Sequence, residues 1–224
     1  MCFMSREPPD GLRVLYLHGL RGRPYSGRHS VLRRILSDER VFCPNLKTAA
    51  AYYFWIGFIV FLGVILLAIA AMSVFLLDAF GGMCITLICV TLFIMLHGIS
   101  ARAAAGSGLK RAVSIADKAY SDFQPNVMVA SSSGCIVALQ MTSPKLPTLF
   151  ICPLAEYYRR FMNISRKPSV ADFPKIIILH GSRDREVKVV DSIRLVETGQ
   201  MRQAKLEVVE DTHRLAGVID DDYL

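Results

Sequence analysis

The chain has 224 residues, 53% of them hydrophobic, and a formal net charge of +7. Setting aside one long apolar block leaves about 170 residues, enough for a single α/β domain. None of the six cysteines forms a CxxC pair, and all but Cys2 fall in predicted strands, a short helix or the apolar block, which argues against a secreted disulfide framework and for reduced thiols in a domain facing the cytosol.

Residues 13–17 (Arg-Val-Leu-Tyr-Leu) read as a buried strand leading into His18-Gly19-Leu20. A helix is expected near residues 30–37, then a strand over 41–46 whose exit is marked by Cys43-Pro44-Asn45-Leu46. From Ala49 to Ile99 the chain carries one acid, Asp78, one histidine, His97, and no Lys or Arg, so no helix there has a charged face to turn toward water.

Residues 52–77 make a helix of about 39 Å, longer than the roughly 30 Å of a hydrocarbon core, and 83–99 are near the lower limit for one crossing. The Asp78-Ala79-Phe80-Gly81-Gly82 stretch supplies the turn between them. The block is read as a transmembrane hairpin, with a wedge held in one leaflet as the alternative. Basic residues at both flanks (Arg21, Arg23, Arg28, Arg33, Arg34, Arg40 and Lys47 before; Arg102, Lys110 and Arg111 after) put both ends on the cytoplasmic side, with Tyr52, Tyr53 and Trp55 in the headgroup belt. Aromatic interleaving among the arginines is sparse and no nucleic-acid motif is present, so the basic excess points to anionic lipid headgroups, and Arg21 and Arg23 are also placed to meet an anionic substrate.

Residues 108–123 form an amphipathic helix stopped by Pro125. Residues 126–131 (Asn-Val-Met-Val-Ala-Ser) are a buried strand that runs directly into Ser132-Ser133-Gly134 and a small helix over 135–141. A strand that turns into a helix this quickly pushes the residue at the turn out of the backbone, and only small residues fit two positions to either side, here Ala130 and Gly134. Alone, the Ser-rich turn is equally compatible with an ordinary loop.

Further on, strands are expected over 147–152, 175–179 and 205–209, with a helix over 186–198. Tyr157, Tyr158, Arg159, Arg160 and Phe161 cluster in a 153–174 segment too short for a large cap. The strand at 175–179 leads into His180-Gly181-Ser182-Arg183-Asp184, and the strand at 205–209 into Glu210-Asp211-Thr212-His213. A serine, an aspartate and a histidine therefore each follow a strand, in an order known for hydrolytic triads. His18 and His180, in matching Leu-His-Gly turns, are read as local hydrogen-bonding residues, and no metal-ligand spacing occurs.

These features, Leu17-His18-Gly19-Leu20, Ala130-Ser131-Ser132-Ser133-Gly134, Asp184 and His213, resemble the α/β-hydrolase superfamily, nearest its small, nearly lidless bacterial esterases. The resemblance covers most of the chain outside residues 48–106. It implies a mostly parallel α/β sheet flanked by helices, Ser132 as nucleophile, His213 as base, Asp184 as the acid that orients it, and the N–H groups of Leu20 and Ser133 as oxyanion donors. Departures are Ala130 at the first Gly of the elbow, Ser131 where His is common, and the absence of the usual leading strands.

The expected organisation is a catalytic domain over residues 1–48 and 101–224, with a transmembrane helical hairpin inserted over 49–100. The expected activity is hydrolysis of carboxylic ester or thioester bonds of acyl lipids or acylated proteins beside a bilayer, with no cofactor, metal or nucleic acid. The alternative is a catalytically silent hydrolase fold serving as a membrane scaffold or binding module, against which the intact trio argues.

Overall fold

Short runs of Val, Ile, Leu and Phe with no polar alternation are buried on both sides when they form strands, and this chain stacks several of them side by side. The computed structural model describes residues 10–20, 22, 24, 28–77, 79–156 and 167–219. Its strands are β1 (Val14–Leu17), β2 (Val41–Phe42), β3 (Val127–Ser131), β4 (Thr148–Ile151), β5 (Ile176–Gly181) and β6 (Ala204–Val209). All pair parallel, in the order β2-β1-β3-β4-β5-β6.

Helices α1 (Arg28–Leu36), α2 (Thr48–Leu76), α3 (Ala79–Phe123), α4 (Gly134–Gln140), α5 (Val189–Val196) and α6 (Ala216–Ile219) complete the described elements. Of these, α1 packs on β2, α4 on β3 and β1, and α5 on β5 and β6. Val14, Tyr16, Val129 and Ile151 join one buried cluster, while Leu15, Leu17, Met128, Phe150, Ile176 and Ile178 are almost wholly removed from water. This is the expected α/β class with a parallel sheet.

The strand order places a switch point between β1 and β3. From β1 the chain moves outward to β2, then crosses back to lay β3 on the other side of β1. The connections leaving β1 and β3 therefore diverge, and the crevice between them at the carboxyl edge is where open α/β sheets bind ligands.

Several boundaries moved for physical reasons. The strand expected over 41–46 keeps only two residues, because Pro44 has no N–H for a ladder and the Leu46 N–H bonds His18 Nε2 at 3.1 Å. The strand expected to stop at Leu179 runs on through His180 and Gly181, which pair with Val208 and Val209. The amphipathic helix expected to start at 108 is the end of α3, which has 45 residues and is about 68 Å long. Ala101, Ala103, Ala104 and Ala105 favour helix enough for an established helix to propagate through Gly106-Ser107-Gly108.

The chain separates into two compact units, the sheet unit up to Leu46 and from Arg111, and a second unit, Lys47–Lys110. Within the second, α2 and the first part of α3 lie antiparallel. Trp55 Nε1 donates to Ser100 Oγ at 3.2 Å, the Gly63 backbone meets the Phe93 ring, and Gly82 meets Val74. Both helices are long and apolar enough to cross a membrane, and their most apolar windows are only 11% buried, unlike the core helices of a water-soluble domain. Trp55 is packed 5.1 Å from the His97 ring, which gives it a partner on the neighbouring helix. Asp78 and the Tyr52 side chain lie outside the described parts.

Candidate active site

The ladder registers bring the strand ends to one edge of the sheet, with Leu17 beside Ala130, Ser131 beside Ile151 and Gly181 beside Val209. Ser132 follows β3 directly; its N–H bonds the Ile151 carbonyl of β4 at 2.8 Å and its own carbonyl accepts from Leu154 at 3.3 Å. Its backbone is left-handed, at φ 53°. A side chain adopts that conformation at a cost of about 1–3 kcal/mol and only where its surroundings hold it.

Those surroundings are visible. A Cβ on Gly134 would lie 2.2 Å from the Leu17 carbonyl, so the start of α4 seats against the end of β1 only because residue 134 is glycine. A Cβ on Gly19 would lie 3.1 Å from Ser132 Cβ, so the turn after β1 passes directly over the serine.

Ser132 Oγ lies 3.1 Å from His213 Nε2, and His213 Nδ1 lies 2.7 Å from Asp184 Oδ2. The carboxylate therefore accepts a hydrogen bond from the Nδ1–H and leaves Nε2 to accept from the serine hydroxyl. Of the three consecutive serines, Ser132 faces the imidazole. Ser131 is buried with its hydroxyl bonded to the Arg28 guanidinium and to Tyr16, and the Ser133 hydroxyl is buried without a partner among the described residues.

Asp184 has a fully buried side chain. Its Oδ1 accepts the N–H groups of Glu186 at 2.8 Å and Val187 at 2.9 Å. Burial alone would raise its pKa; the Val187 N–H, the His213 ring and the Glu186 N–H outweigh that and hold it below the ordinary value. Asp211, two residues before the histidine, bonds the N–H groups of Thr212 at 2.6 Å and Gly217 at 2.8 Å, and so shapes the loop that carries His213.

Three supporting residues were not assigned these roles from sequence. His180 Nε2 donates to the Val187 carbonyl at 3.1 Å and stands 3.3 Å from Asp184 Oδ2, while Nδ1 pairs with Ser192 Oγ at 2.7 Å. Burial lowers its pKa, so it backs the carboxylate as a neutral ring. Arg28 bonds the Ser131 hydroxyl, the His213 carbonyl at 2.7 Å and the Arg214 carbonyl at 3.2 Å, tying the histidine loop to the end of β3.

Arg28 is thus engaged inside the sheet unit, and Arg33 and Arg40 have Asp38 and Asp10 as carboxylate partners. No spacing rule links Arg28 to residues 185 and 186 positions away. Cys152 completes the set. Its thiol, pushed up to about 12 by burial, bonds the Asp184 carboxylate.

Cys152 Sγ and donor atoms of Asp184 and His213 lie within 4.8 Å of one another, a donor set of the kind that holds a metal ion. Here the thiol is protonated at neutral pH and the imidazole and carboxylate are engaged with each other, so the trio works as a hydrogen-bond cluster.

The N–H groups of Leu20 and Ser133, the expected oxyanion donors, flank the turn after β1 and the start of α4, and neither donates a hydrogen bond among the described residues. His18, beneath the first of them, is a neutral anchor: Nδ1 donates to the Gly19 carbonyl at 2.9 Å and Nε2 accepts from Leu46. Cys135 is fully buried in α4, as expected of a packing residue. Arg21, Arg23 and the 157–161 cluster lie outside the described residues.

Compared with protein-family models, curated proteins and solved structures, the chain finds no match in any of the three. The functional argument rests on the geometry of the site.

Proposed function

We propose that the chain is a membrane-anchored serine hydrolase of the α/β-hydrolase type, cleaving carboxylic ester or thioester bonds of acyl lipids or acylated proteins at the cytoplasmic face. The observation that carries this reading is the hydrogen-bonded series Ser132, His213, Asp184, with the serine alone among its neighbours held at φ 53° beneath the turn after β1.

In the proposed reaction His213 Nε2 takes the Ser132 proton as Oγ adds to the acyl carbon. The N–H groups of Leu20 and Ser133 receive the oxyanion, and Asp184 holds the imidazolium. The C–O or C–S bond to the leaving group breaks and that group takes the proton from Nε2. Water, deprotonated by His213, then releases the acid and restores Ser132.

A fluorophosphonate probe should label Ser132, and Ser132→Ala should abolish both labelling and hydrolysis of short acyl esters. His213→Ala should do nearly the same, because nucleophile and base act as a unit. Asp184→Asn should keep the fold and slow turnover by up to about ten-thousandfold. Labelling that survives Ser132→Ala would overturn the assignment.

Two weakly buried apolar helices support the anchor. Glycosylation acceptors engineered in a lengthened turn beside Asp78 should be modified in a microsomal membrane while acceptors at the termini are not. A turn that is never modified would favour the one-leaflet wedge, and modification at a terminus would reverse the orientation.

A further inference from the structure

The cleft beside the imidazole has a volume of about 450 Å3 and is lined by Arg183, Arg185, Glu186, Thr212, His213 and Arg214. Its charge comes from the two loops that meet there. Asp184 is buried, its neighbours Arg183 and Arg185 line the cleft, and Arg214 extends from the same loop as His213.

Elsewhere in the sheet unit Arg33, Arg40 and Arg194 lie within 4 Å of Asp38, Asp10 and Asp191, while Arg13 stacks over the Phe123 ring and Arg28 is held by a hydroxyl and two carbonyls. Among the described residues none of the three cleft arginines has a carboxylate that close. Arg183 donates to a neutral acceptor, the Glu210 carbonyl, at 3.1 Å. Glu186 is the single acid among the lining residues; it is 70% exposed and stands 3.9 Å from His213 Nε2. Asp184 and Asp211, in the same two loops, are turned away and held by backbone N–H groups, so the face that opens to solvent presents three guanidinium groups against one exposed carboxylate.

Position assigns this charge to one half of the substrate. His213 Nε2 protonates the departing group, so that group must lie against the imidazole, where the cleft opens. Building on the hydrolase reading above, we propose that the cleft holds a phosphate carried on the leaving alcohol or thiol, so that the substrate is an acyl ester or thioester of a phosphorylated leaving group. Guanidinium groups suit this task because their paired N–H donors match phosphate oxygens. Hydrolysis then yields the free acid and the phosphorylated alcohol, with water supplying the hydroxyl and the proton.

The test uses the full chain in detergent with two matched esters, 1-butyryl glycerol and 1-butyryl glycerol 3-phosphate. The phosphorylated ester should have kcat/KM about tenfold to a hundredfold higher, carried mainly by KM, and the ratio should shrink as salt rises. Replacing Arg183, Arg185 and Arg214 together with Gln should bring the ratio toward one. Single Arg185→Gln and Arg214→Gln variants, which spare the Arg183 contact with Glu210, should lower it in part if the triple variant does not fold. Inorganic phosphate and glycerol 3-phosphate should both slow fluorophosphonate labelling of the parent chain, glycerol 3-phosphate the more strongly if the organic part is also bound.

A labelled chain that prefers the neutral ester, or a ratio the substitutions do not change, would overturn this proposal alone. A chain that the probe does not label and that cleaves neither ester would overturn the hydrolase reading and this one with it. If the arginines matter only when the neutral ester is presented on vesicles containing phosphatidylserine, they serve the membrane surface and the substrate proposal is wrong.

Discussion

The same tripeptide stands at two strand ends of this sheet, Leu17-His18-Gly19 as the chain leaves β1 and Leu179-His180-Gly181 as the last residues of β5, and the two copies do different work. Both histidines are buried, 3% and 0% exposed, and both are held neutral by burial. Gly19 passes over Ser132, the side chain on the adjacent strand end, whereas a Cβ on Gly181 would meet the Thr212 and Asp211 carbonyls at 2.4 and 2.5 Å. His18 anchors the exit of β2, whereas His180 supports Asp184. Identical local sequence makes the same buried ring and the same close approach; the neighbouring strand decides what the turn touches.

The comparison can be broken most directly at the glycines. Gly181→Ala drives a methyl group into backbone that has no side-chain rotamer with which to yield, and should cost about 3 kcal/mol, read as a large drop in Tm. Gly19→Ala meets the Ser132 side chain at 3.1 Å and should cost only about 1 kcal/mol in stability while slowing ester hydrolysis more than tenfold, because the serine must move from the imidazole. Equal losses of Tm in the two variants would show the turns to be equivalent after all.

A smaller effect separates the histidines. His180→Asn should lower kcat about tenfold with KM little changed, since Asp184 loses a neighbour that helps fix it. His18→Asn should act chiefly on Tm. A fall in kcat of the same size for His18→Asn would remove the distinction.

The smallest effect sharpens what the turns share. His18, His29 and His180 all have pKa values below the ordinary 6.5, with burial the main cause. Below pH 6.5 the unfolded chain takes up protons that the folded one refuses, so this contribution to stability is complete above that pH and is lost as pH falls toward the folded values. The urea midpoint should therefore drop between about pH 7.5 and pH 5.5, and the drop should be shallower in His18→Asn and His180→Asn.

Much of this was legible because strands announce their ends. The β-branched runs before His18, Ser132 and Asp184 fix where the chain leaves the sheet, and a parallel sheet brings all such exits to one edge. The order Ser132, Asp184, His213 could therefore be read without knowing a single contact. Arg28 could not, because its bonds to the His213 and Arg214 carbonyls join residues 185 and 186 apart that share no pattern. The continuity of α3 was hidden by Gly106 and Gly108, whose individual propensity is poor but whose flanking alanines carry the helix through.

By itself, the sequence determined which segments are buried strands, which block avoids water, and which three polar side chains stand at strand exits, since each follows from local periodicity and composition. Only the tertiary structure showed that Ser131 and Ser133 turn away from the imidazole, that Asp211 is engaged by its own loop, and that Arg183, Arg185 and Arg214 surround one cleft. Those outcomes depend on the sign of one backbone angle and on which strand ends are neighbours, and neither is encoded in any short stretch of chain.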